Sequence, residues 1–168
     1  MSSYLIRPAL PADYPACESV IRRSFATVAA RFGLTRENCP SNPAFLPDGS
    51  LLAAAKNGDE LYILSDKDKI IGFIQLVVID NDAVDLAKLC VLPERRCKGC
   101  GAQLLDFAKS RAAQMGRAKL TVGIIDKNTP LKRWYISRGF IQTGARLYAD
   151  LPFLVGFLEC PVASARLW

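Results

Sequence analysis

The chain contains no histidine. That absence removes Ser-His-Asp and Cys-His catalysis, histidine-ligated metals and a histidine general base. Acid–base work is left to Asp, Glu, Tyr, Cys, Lys or ordered water. No apolar run approaches the ~20 residues needed to cross a bilayer. The stretch Met1–Pro8 lacks the charged-then-apolar order of a secretory signal, so no membrane partner is expected. No basic run exceeds two residues and no basic, aromatic-rich patch stands out. The net charge of +6 (22 − 16) is therefore diffuse, compatible with a small anionic ligand, and nothing marks a nucleic-acid surface. Internal repeats, low-complexity tracts and linkers are also missing.

What is present suits one globular domain spanning residues 1–168. Hydrophobic residues make up 51% and charged ones 23%, and a chain of this length can bury a core without disulfide or metal staples. Several of the six cysteines sit in apolar runs, where a free thiol behaves as a small hydrophobe. These features lead to the expectation of a reduced, cytoplasmic protein.

The most informative stretch runs from Asp85 to Ala113. An apolar strand, Leu86 to Leu92, is stopped by Pro93. A basic turn follows, Glu94-Arg95-Arg96-Cys97-Lys98-Gly99-Cys100-Gly101, and a helical pattern starts at Ala102. Glycines let the backbone turn sharply and approach a ligand closely. The first N–H groups of a helix lack internal partners, and the helix dipole adds positive charge there. Such amides can cradle a diphosphate, with Arg95, Arg96 and Lys98 reinforcing the field. A tight connection with no ligand is the plainer alternative. The dinucleotide fingerprint is excluded because position 104 is Leu where a third glycine is needed, and no Gly-Lys-Ser/Thr phosphate loop exists.

In chain order, Tyr4–Arg7 is predicted to be a strand. Asp13 opens a helix to about Phe25, and Thr27–Phe32 forms a second, closed by Gly33. A proline-rich connection from Thr35 to Ser50 carries one helical turn near Asn42–Leu46, and Leu51–Lys56 is helical. Strands follow at Glu60–Leu64, Ile70–Ile79 and Leu86–Leu92 as an antiparallel meander. The helix after the turn ends near Gly116. Lys119–Ile125 then completes a parallel βαβ unit. Asn128-Thr129-Pro130 opens a helix ending at Gly139, and Phe140–Gln142 and Phe153–Cys160 are the last strands.

Three segments, Lys88-Leu89-Cys90-Val91-Leu92-Pro93, Arg96-x-x-Gly99-x-Gly101-Ala102 and Asn128-x6-Tyr135-x3-Gly139-Phe140, resemble in order and spacing the GNAT superfamily of acetyl-CoA-dependent N-acetyltransferases. The resemblance covers nearly the whole chain. It implies an α/β (mixed α+β) fold with a mostly antiparallel sheet of about seven strands flanked by about four helices. It also implies acetyl-CoA as cosubstrate, with no metal, and transfer of the acetyl group to a primary amine in a ternary complex. Backbone groups of Leu89, Cys90 and Val91 would bond the pantetheine arm, and the Arg96–Ala102 amides, with Arg95, the pyrophosphate. Asn128 would contact the cofactor arm, or cap its helix, or both. Tyr135 would lie by the thioester sulfur as general acid, its bland alternative being a packed aromatic.

Many members of that family carry a glutamate base two residues before the position of Leu89; here that residue is Ala87. Asp85, two residues further back on the same strand face, or Asp80 would act through water in its place, or the reaction needs no protein base. A metal or redox reading of Cys97-x-x-Cys100 lacks a second ligand pair. A catalytically silent acyl-CoA-binding regulatory module shares the fold. The acceptor falls to the first two helices, the 35–50 loop and Tyr148–Phe153, and is a small amine, an amino acid or a protein amino group. A monomer or homodimer is expected.

Overall fold

In the computed structural model the structure describes residues 4–162. The elements, in order, are β1 (Tyr4–Pro8), α1 (Tyr14–Arg31), α2 (Ser50–Lys56), β2 (Glu60–Asp66), β3 (Lys69–Val78), β4 (Ala83–Val91), α3 (Cys100–Gln114), β5 (Lys119–Ile125), α4 (Thr129–Ser137), β6 (Ile141–Leu147) and β7 (Leu154–Pro161). The strands hydrogen-bond as a seven-stranded mixed sheet in the order β1-β2-β3-β4-β5-β7-β6. β4 and β5 pair in parallel, over Ala83–Lys119, Val84–Leu120 and Asp85–Thr121. This agrees with the predicted meander and βαβ unit.

The chain divides into two compact units. One holds the residues up to Val77 together with Ala87–Asp106; the other holds Val78–Leu86 and the residues from Phe107 onward. In the first unit Ile21, Leu51, Ile63, Leu64, Ile71, Phe73, Ile74, Leu104 and Leu105 form the core. β3 admits α3 closely because Gly72 lacks a side chain: a Cβ there would lie 3.1 Å from Leu104 Cδ1 and 3.2 Å from Cys90 O. In the second unit Leu120, Val122, Leu158, Ala108, Ala112, Tyr135 and Phe140 are buried together. β7 alternates cleanly, with Gly156, Leu158 and Cys160 inward.

Several boundaries differ from the sequence reading. The predicted helices at 13–25 and 27–32 are one continuous α1, because Ala26, Ala29 and Ala30 favour the helix and no breaker separates the two halves. Its C-terminus closes with Leu34 N–H donating to Ala29 O and Gly33 N–H to Ala30 O. Asp13 stands at the N-cap without a capping bond from its side chain. Its carboxylate instead accepts from Leu10 N–H at 2.7 Å and from Arg7 at 2.8 Å. α3 starts at Cys100, not Ala102, and β4 at Ala83, not Leu86. β6 extends to Leu147. Every one of its residues is exposed, so no hydrophobic alternation betrayed its length.

Candidate active site

The first unit contains the turn between β4 and α3. Leu92 N–H donates to Ile71 O at 2.9 Å, and Pro93–Arg95 forms a single 3-10 turn. Cys97 (φ +63°) and Gly99 (φ +82°) are both left-handed. A cysteine in that region carries strain, which is found mainly where the surrounding structure enforces a functional shape. Gln103 N–H closes the first α-turn on Gly99 O at 3.1 Å. The N–H groups of Cys100, Gly101 and Ala102 therefore have no partner within the helix. Cys97, Lys98 and Gly99 are exposed, while the Cys100 thiol is buried. All described cysteines are free, and among the described residues no group of metal-binding side chains assembles.

The side chains of the turn's two arginines have partners within the protein. Arg95 Nη1 donates to Asp66 Oδ2 at 2.7 Å. Arg96 donates to Val91 O, Thr27 Oγ1 and Ser24 O. Arg96 and Lys98 are both exposed, the first with its guanidinium on protein acceptors. Ahead of the turn, Leu89 is half-buried and Cys90 and Val91 are buried. Burial pushes the Cys90 thiol up to about 12, so it stays a neutral packing group.

Lys88 was not singled out from the sequence as a functional position. Its φ is +58° in the middle of β4, where extended backbone is the rule. Its ammonium donates to Gln75 Oε1 at 3.0 Å, and Gln75 Nε2 donates to Asp59 Oδ2 at 2.7 Å. Burial, opposed by Asp59, holds this lysine below its ordinary value. A lysine inside an otherwise apolar strand was the visible signal.

The second unit holds the acid and the tyrosine. Thr121 Oγ1 donates to Asp85 Oδ1 at 2.7 Å. Burial raises the Asp85 carboxyl above the usual range, and the Thr121 bond opposes that only in part. Asp85 therefore holds a proton more readily than an exposed aspartate does. Tyr135 is 3% exposed, packed edge-on against Trp134 and Phe140, each with a centroid separation of 5.0 Å. Burial, then the charge of Asp85, pushes its hydroxyl well above the ordinary value, so the proton stays on. Asp85 and Tyr135 are thereby brought into one electrostatic environment. Thr121, missed from the sequence, was marked only as a hydroxyl between Leu120 and Val122.

Asn128 is buried at the N-cap of α4 without a capping bond from its side chain. Its N–H donates to Ile125 O, and Lys132 N–H donates to its carbonyl. Asp80, the other acid considered, accepts from the N–H groups of Asp82 and Ala83, which hold its carboxyl below the usual range. Those two bonds shape the turn between β3 and β4.

The family model for the acetyltransferase (GNAT) domain matches residues 57–142, which include the turn after β4, Asp85 and Tyr135. The chain belongs to the GNAT acetyltransferase family. An uncharacterized N-acetyltransferase of Mycobacterium tuberculosis is 31% identical over 80 residues, 48% of this GNAT chain and 51% of the relative. The chain thus spans about half the length of the first curated relatives it matches. Among solved structures, the ribosomal-protein-S18-alanine N-acetyltransferase of Escherichia coli superposes with a TM-score of 0.76 at 17% identity, covering 99% of both chains. The PaiA N-acetyltransferase of Thermoplasma acidophilum, in complex with coenzyme A, superposes at 0.73 with 20% identity, covering 95% of this chain and 99% of that one. At these identities the likeness shows a shared GNAT fold.

Proposed function

We propose that this GNAT domain is an N-acetyltransferase that moves the acetyl group of acetyl-CoA to a primary amine by direct attack in a ternary complex. The observation that carries the reading is the turn after β4: two left-handed residues, an exposed lysine, and three helix N–H groups with no helical partner. That donor set fits a diphosphate. Backbone groups of Leu89, Cys90 and Val91 would accept the pantetheine arm as an added strand does, and Asn128 would touch the same arm. The proton-bearing Tyr135 would serve as acid to the departing thiolate, and Asp85 as base to the incoming ammonium, through water. The Val91 N–H would steady the oxyanion.

Bond changes are few. The ammonium would give one proton to Asp85 through water, and the free amine nitrogen would bond to the thioester carbon. The carbon–sulfur bond would break with the sulfur taking the Tyr135 proton. The second proton shed by the nitrogen as the amide forms would return to Tyr135 through water. The decisive experiment incubates the protein with acetyl-CoA and a panel of small amines, amino acids and peptides, and follows free thiol. Thiol release that depends on one amine class supports the proposal. Tight acetyl-CoA binding with no turnover across the panel would replace it with an acyl-CoA-sensing module.

A further inference from the structure

We infer that Arg96 is a positioning residue that ties the diphosphate turn to α1, and not a ligand of the diphosphate. The inference rests on the reading of that turn as a coenzyme A site. A guanidinium offers five N–H donors in one rigid plane. All three nitrogens of Arg96 have protein partners: Nε gives to Val91 O at 3.2 Å, Nη1 to Thr27 Oγ1 at 2.9 Å, and Nη2 to Ser24 O at 2.7 Å. Thr27 Oγ1 in turn donates to the same Ser24 carbonyl at 3.0 Å, closing a ring of three residues. A second tie lies beside it, where Arg23 Nη2 meets Glu94 Oε1 at 2.8 Å. On its other flank the turn is held by Arg95 to Asp66.

The segment from Pro93 to Arg96 is therefore fastened to α1 and to the end of β2 by side chains around 30 to 70 positions away in the chain. Fastening before the ligand arrives lowers the ordering cost of binding. It has a second effect. α1 is where the acceptor contacts were expected, and two of the three Arg96 acceptors are on it. Cofactor binding at the turn is felt by α1, and reciprocity requires that whatever α1 binds be felt at the turn.

The test is a double-variant cycle read by calorimetric titration of coenzyme A into the full chain, with amide hydrogen exchange on the same proteins. Thr27→Val removes the Oγ1 acceptor at a residue with no cofactor role. It should weaken coenzyme A about threefold, Arg96→Gln about tenfold, and the pair no more than Arg96→Gln alone, because the two act through one tie. Arg96→Lys keeps a cation but loses the plane, and should resemble Arg96→Gln. In wild type, coenzyme A should slow exchange in residues 24–31 as well as 96–102; in Arg96→Gln only the turn should respond. If Thr27→Val binds like wild type, or Arg96→Lys retains nearly full affinity, Arg96 is a direct ligand and the inference fails. Should wild type not bind coenzyme A at all, the cofactor reading fails instead. The tie is then judged on the free proteins: faster exchange over 24–31 in Arg96→Gln upholds it, and unchanged exchange overturns it.

Discussion

Thr121 donates its hydroxyl proton to Asp85 across 2.7 Å, and the two residues are register partners in the parallel β4–β5 pair. Burial still dominates, so the folded carboxyl titrates above its unfolded value. A raised value means that the contribution of Asp85 to stability is complete at low pH. It is lost as pH climbs through the folded value. Asp85→Asn keeps the shape and cannot ionise. Its melting temperature should match wild type below about pH 4 and exceed it increasingly as pH rises to 7. Melting curves from pH 3.5 to 8 check this; a gap that does not grow with pH would contradict it.

Tyr135→Phe keeps the ring packed edge-on against Trp134 and Phe140 and removes only the hydroxyl. If Tyr135 is the proposed general acid, its loss lowers kcat by about 10²–10⁴-fold, and a thiolate is a fair leaving group, so the lower end is expected. The KM for acetyl-CoA should hardly move. Thermal unfolding of the variant separates a chemical defect from instability. A stable variant with undiminished turnover would assign the proton to water.

Gly99 and Gly101 flank the start of α3 and should respond differently. Gly99 has φ +82°, so Gly99→Ala forces a side chain into the left-handed region and costs about 1–2 kcal/mol of stability. Gly101 lies within α3, where alanine is favoured by up to ~1 kcal/mol, so Gly101→Ala should keep or raise the melting temperature. Both should weaken coenzyme A tenfold or more, about 1.4 kcal/mol, because a methyl group blocks close approach to the phosphates. A Gly101→Ala protein that is stable and binds normally would remove the diphosphate from this turn.

Gly156 has no room for a side chain. A Cβ there would lie 2.6 Å from Asp126 Oδ1, and Asp126 is held by Lys132 at 2.6 Å and Gln142 at 2.8 Å. Gly156→Ala should cost about 1–3 kcal/mol in urea unfolding, as overpacking does. Adding Asp126→Ala removes the clash, so the double variant should be more stable than the sum of the single effects predicts.

Much of this architecture was legible because apolar periodicity and punctuation agree along the chain. Pro93 stops β4, Asn57-Gly58 ends α2, and Lys119–Ile125 was bounded to the residue. α1 was split in two because no tertiary information marks an uninterrupted helix across Ala26. β6 was cut short because an edge strand exposed on every residue has no pattern to read. In the site, the Arg96-x-x-Gly99-x-Gly101 spacing located the turn, but spacing cannot say where a long side chain goes. Both arginines looked like phosphate cations, yet their partners, Asp66 and Thr27, lie far back in the chain. The Thr121–Asp85 bond likewise depends on register, which only the parallel pairing reveals.

The left-handed backbone at Lys88 breaks the extended run of β4 at a single residue. On both sides of it the burial keeps one count: Val84, Leu86 and Cys90 are buried, while Asp85, Ala87 and Leu89 are half-buried. β4 thus carries a residue in a conformation that side chains rarely adopt without exchanging which of its neighbours are buried.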